Sequence, residues 1–69
     1  MWIEISDEYV NKLKNMSRRK IKLNEDYGGG KEQWAYWDKK EGCFFWAQGE
    51  AAVYMDDLQQ RPTHIWISK

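Results

Sequence analysis

The sequence predicts a small α+β domain: a mainly antiparallel sheet of about four strands with one or two helices packed on it, in the order β-α-β-β-β-α-β. Three observations carry this expectation. Apolar residues alternate with period two in several short segments, a helical spacing follows a capping signal near the N-terminus, and 69 residues leave room for a single core. Residues 1–69 are therefore read as one domain. Eleven Lys and Arg balance eleven Asp and Glu, and 42% of the residues are hydrophobic, so the chain is not a disordered polyelectrolyte.

Trp2 to Ile5 opens the chain with an alternation that sets Ile3 and Ile5 on one side and Trp2 and Glu4 on the other, a strand pattern. Ser6 then stands as an N-cap with Asp7 and Glu8 in the first turn. Tyr9, Val10, Leu13 and Met16 follow at helical spacing, which predicts a helix over 7–16. Arg18, Arg19 and Lys20 come where that helix's dipole is negative. From Lys20 the period returns to two, with Ile21 and Leu23 on one face, a second and half-exposed strand that the strand-helix-strand connection sets parallel to the first. Gly28, Gly29 and Gly30 lack the Lys-Ser/Thr of a phosphate loop and read as a linker or wide turn.

Gln33–Asp38 and Cys43–Gln48 are aromatic and β-prone, and Gly42 between them suits the positive φ that closes a hairpin. The loop length sets the faces. A three-residue loop groups Trp34 and Tyr36 with Phe44 and Trp46, whereas a four-residue loop joins Trp37 to Phe44 and Trp46. Either register leaves large rings on both faces, more than one layer of helix covers. Between residues 50 and 60, Ala51, Tyr54, Met55 and Leu58 fit a helical stripe, favoured over a strand returning from Gln48-Gly49. Pro62 ends that helix, and His64 to Ser68 alternates again as the closing strand.

The core is aromatic by necessity. Five Ile, three Leu and two Val stand beside five Trp, four Tyr and two Phe, and each ring buries roughly 150–250 Å². A domain this small rarely gains more than about 3–5 kcal/mol from its core, which leaves homo-oligomerisation or partner binding as a supplement. Cys43 stands alone, which fits a reducing cytoplasm, and neither a signal peptide nor an 18-residue apolar run occurs, so no membrane association is expected.

Motifs for catalysis, metals and cofactors are weak. Tyr54-Met55-Asp56-Asp57 looks like the palm motif of reverse transcriptases, in which paired aspartates hold magnesium. A palm also needs a third carboxylate, fingers and a primer grip, which 69 residues do not supply. Asp56 and Asp57 are read as solvated acids. A dyad of Cys43 with His64 has no local support, and His64 has no second ligand at zinc spacing. No enzyme activity, cofactor or metal is expected.

What remains is a surface. Lys12, Lys14, Arg18, Arg19, Lys20 and Lys22 place six cations within eleven residues, while Glu32 to Arg61 holds six acids against three bases. Trp, Tyr and Arg dominate protein interfaces, and the residues expected to meet a partner are Arg18, Arg19, Lys20, Lys22, Trp34, Tyr36, Trp37 and Trp46. The functional expectation is a non-enzymatic module that binds and modulates a larger protein as an inhibitor or adaptor. In size alone it is similar to accessory proteins of phages and mobile elements. The alternative is a single-stranded nucleic-acid binder, with cations on phosphates and rings stacked on bases, although a pI near 6.6 is low for that class.

Overall fold

In the computed structural model, which describes residues 1–49 and 51–68, six short strands form one antiparallel sheet. In chain order the elements are β1 (Trp2–Glu4), α1 (Asp7–Asn11), β2 (Ser17–Lys22), α2 (Glu25–Gly28), β3 (Glu32–Asp38), β4 (Cys43–Trp46), β5 (Ala52–Tyr54) and β6 (His64–Trp66). Across the sheet the order is β1-β6-β2-β3-β4-β5. The closing strand β6 thus slots between β1 and β2, pairing Ile65 with both Ile3 and Ile21. Two antiparallel steps leave β1 and β2 pointing the same way, as expected of the first connection, but they are not neighbours.

The class is mainly β with some helix, and the strand count and order differ from expectation. The helix over 7–16 stops at Asn11. Ser6 caps it by accepting from the Tyr9 N–H, and Val10 and Leu13 are buried as the stripe requires. Met16 is not. It adopts φ 58°, donates its N–H to the Trp37 carbonyl and lies exposed. The chain must turn there to bring Ser17 opposite Trp37, and a helix through Met16 would carry it past β3.

No helix forms over the described part of residues 50–60; Glu50 lies outside the described residues. Ala52–Tyr54 pairs with β4, and burial alternates, with Val53 and Met55 inside and Tyr54 outside. The open edge of β4 outweighed the helical spacing, and Leu58, a member of that stripe, is 74% exposed. The second helix lies instead at 25–28, with Asn24 accepting from the Asp26 N–H and Gly29 closing it at φ 62°. An N-cap Asn, two acids and a glycine C-cap are a complete helix signature in miniature, hidden by the glycine run that reads as a linker.

Asp38 stands opposite Cys43, so the hairpin loop has four residues and Trp37 joins Phe44 and Trp46 on one face. Asp38 Oδ1 accepts from the Lys40 and Glu41 N–H groups, and Gly42 takes φ 67°. The inner face carries Ile3, Ile21, Ile65, Ala35, Trp37, Phe44 and Val53. Ile5, Val10, Leu13 and Met55 close over them, with Tyr9, Leu23 and Trp46 packed at the margin. Trp37 and Phe44 meet at 4.8 Å between ring centroids, tilted by 52°.

Candidate protein-binding face

Register fixes what the other face shows. Residues that pair across an antiparallel ladder project to the same side, so the outer face carries Trp2 and Glu4 from β1, and His64 and Trp66 from β6. Arg18, Lys20 and Lys22 come from β2, Glu32, Trp34, Tyr36 and Asp38 from β3, Phe45 and the fully buried Cys43 from β4, and Ala52 and Tyr54 from β5. Neither helix supplies a residue to this list. Trp34 is 45% exposed and Trp66 40%.

These side chains touch one another. The Arg18 guanidinium lies 4.4 Å from the Trp34 ring centroid, and the Lys22 ammonium reaches over β6 to lie 4.8 Å from that of Trp2. Trp2 and Trp66 meet edge to face at 5.4 Å, and Lys20 pairs with Glu32 at 3.1 Å. A hollow of about 470 Å³ opens above β2 and β3, lined by Arg18, Glu32, Trp34, Tyr36, Ala47 and Gln48. Exposed contacts of this kind are each worth about 0.5–1 kcal/mol or less, so they orient the side chains more than they stabilise the fold.

Of the eight residues expected at a contact surface, Arg18, Lys20, Lys22, Trp34 and Tyr36 lie together on this face. The other three project inward. Trp37 is 2% exposed in the core. Trp46, opposite Ala35, packs against that core half-buried. Arg19 also pairs with Ala35, so it points inward between two outward cations, and its Nε is buried without a hydrogen-bond partner. Period two decides all three, because in β2 every second cation must face the core side. Trp2 and Trp66, absent from the expected set, join the face through the β1–β6 pairing, which no local pattern announces.

The other chemical candidates do not assemble. His64 on β6 and Cys43 on β4 are separated by both β2 and β3, roughly 14 Å at ordinary strand spacing, and His64 Nδ1 is within 2.9 Å of Thr63 Oγ1. Burial pushes the Cys43 thiol pKa up, and the charges of Asp38 and Glu41 push it the same way, so it stays protonated near neutrality. Asp57 caps a turn, its Oδ1 accepting from the Gln59 and Gln60 N–H groups. No group of His, Cys, Asp or Glu among the described residues could hold a metal ion, and no helix among them is long and apolar enough to cross a membrane. Compared with protein family models, curated proteins and solved structures, the chain matches none.

Proposed function

We propose that this chain is a non-enzymatic protein-interaction module whose outer sheet face docks on another polypeptide. A role in binding and modulating a larger protein, as an inhibitor or adaptor, follows from the same reading. The observation that carries it is the row of exposed rings at Trp66 and Trp34 on the face of the sheet opposite the core. Large rings and arginines are the usual anchors of protein interfaces.

Charge and stacking favour protein over single-stranded nucleic acid. On the outer face Arg18, Lys20 and Lys22 are offset by Glu4, Glu32 and Asp38, so a phosphate backbone would meet as many acids as cations. Arg18 and Lys22 already occupy ring faces of Trp34 and Trp2, and a base could stack there only by displacing them. With its one buried free thiol, Cys43, the module is read as cytoplasmic.

The test compares wild type with Trp34→Ala/Trp66→Ala, both as bait in an extract of the native host. The expected result is loss of a captured protein while the chain stays folded, its melting temperature lowered by no more than the loss of two exposed contacts accounts for. Capture that survives the double substitution contradicts the assignment of this face. Quenching of tryptophan fluorescence by an oligonucleotide, abolished as salt rises, would move the face to nucleic acid.

A further inference from the structure

We infer that the partner this face fits is a second copy of the same chain, packed face to face about a two-fold axis that runs along the strands between β2 and β3. The inference rests on the reading of this face as protein-binding and names its occupant. A larger partner using the same residues would compete with self-association.

The argument is one of self-complementarity. The outward residues of β2 are Arg18, Lys20 and Lys22, all cationic, and those of the neighbouring β3 are Glu32, Trp34, Tyr36 and Asp38, all acidic or aromatic. The two stripes are in register: Lys22 with Glu32, Lys20 with Trp34, Arg18 with Tyr36. A two-fold axis in the plane between them lays each residue over its own register partner in the other copy. Lys22 then faces the partner's Glu32, Lys20 the partner's Trp34, and Arg18 the partner's Tyr36, and symmetry supplies each contact twice. One ion pair and two cation–π contacts, each made twice, then form across the interface, where they exchange with the contacts the same cations make within one chain, Lys20 with Glu32, Arg18 with Trp34 and Lys22 with Trp2.

Packing agrees with charge. Trp66 lies on the same row as Lys20, since Ile65 pairs with Ile21, and the Ala47 N–H donates to the Trp34 carbonyl, which sets Ala47 beside Trp34. The same axis therefore lays the large Trp66 over the partner's small Ala47, at the rim of the hollow. The rival axis, across the strands, would stack β2 on β2 and oppose cation to cation. Either axis leaves the strands of the two sheets nearly aligned, an established geometry for stacked sheets, so charge decides between them. The molecule measures 28 × 27 × 22 Å, so a flat face of it is on the order of the ~800 Å² that each partner contributes to a standard interface.

Sedimentation equilibrium over a concentration series tests this. Wild type is expected to reach a dimer, and Lys22→Glu and Glu32→Lys are each expected to weaken it by at least about tenfold, because like charges then oppose across the interface. Mixed in equal amounts, the two variants are expected to regain near wild-type affinity as a heterodimer, in which every such contact is again between opposite charges. Should either variant lose its circular-dichroism signature, Ala47→Arg, outside the charged ladder, is expected to block the dimer by obstructing the partner's Trp66. A wild type that stays monomeric at millimolar concentration overturns the inference. So does a mixture of two folded variants that remains monomeric, or a monomer that binds only an oligonucleotide. A monomeric wild type whose host capture is still lost on Trp34→Ala/Trp66→Ala would refute the second copy and leave the protein-binding face standing.

Discussion

Trp34 and Trp37 lie three residues apart on one strand, and one is 45% exposed while the other is 2% exposed. The contrast extends to the whole sheet. The inner face holds Trp37, Phe44 and half-buried Trp46 against isoleucines, valines and the residues following β1 and β5. The outer face holds Trp2, Trp34, Trp66 and Tyr36 against lysines, an arginine and carboxylates. Ring content does not separate the two faces; what surrounds the rings does. Aliphatic neighbours and a covering helix seal one set, while charged neighbours leave the other in contact with water and available to a second surface.

The inner face should break hardest. Trp37→Ala removes a fully buried ring and is expected to cost about 3–5 kcal/mol, comparable to the ~3–5 kcal/mol that a core of this size supplies. The variant should be largely unfolded at 25 °C by circular dichroism. Ile65→Ala follows at about 2–4 kcal/mol, because Ile65 is the inward residue of β6 that pairs with both β1 and β2; urea titration reads it. Trp46→Ala marks the margin between the faces, at about 1.5–3 kcal/mol, since its ring is only half-buried.

Trp34→Ala sharpens the comparison from the other side. It loses the contact with Arg18, worth about 0.5–1 kcal/mol, so the melting temperature should fall by only a few degrees while partner binding weakens. The smallest effect is one of pH. Cys43 has a raised pKa in the fold, so the unfolded chain gives up the thiol proton first as pH rises. Its contribution is therefore complete below the ordinary thiol value near ~8.5 and fades as pH rises from there towards the folded pKa. Wild type should lose more stability than Cys43→Ala between pH 7 and pH 10, measured by urea midpoints; equal losses would show that burial of Cys43 has no such effect.

Much of the sheet was legible locally. Alternation at Trp2–Ile5 and in the hairpin marks strands that form, and Ser6 marks a helix start that the fold uses, whereas the strand expected from Lys20 to Asn24 runs from Ser17 to Lys22 and takes in the cations expected at a helix end. Less legible were features set by distant chain. β6 slots between β1 and β2, which only the assembled sheet can specify, and this brings Trp66 beside Lys20. The segment around Val53 satisfied two periodicities, and the free edge of β4 selected the strand. Five of the eight residues expected at a contact surface share the outer face, and Arg19, Trp37 and Trp46 do not. Arg18 to Lys22 reads as one patch in the sequence, although a strand divides it by parity and turns Arg19 inward. Trp37 and Trp46 depended on a hairpin register that a one-residue change in loop length reverses.

The division of the tryptophans between the two faces is tested most directly by hydroxyl-radical footprinting with residue-level mass spectrometry on the dilute chain. Trp34 and Trp66 are expected to be oxidised readily and Trp37 to be protected. Trp37 reacting as fast as Trp34, or Trp34 and Trp66 protected as fully as Trp37 at dilutions where the chain is a monomer, would contradict the account.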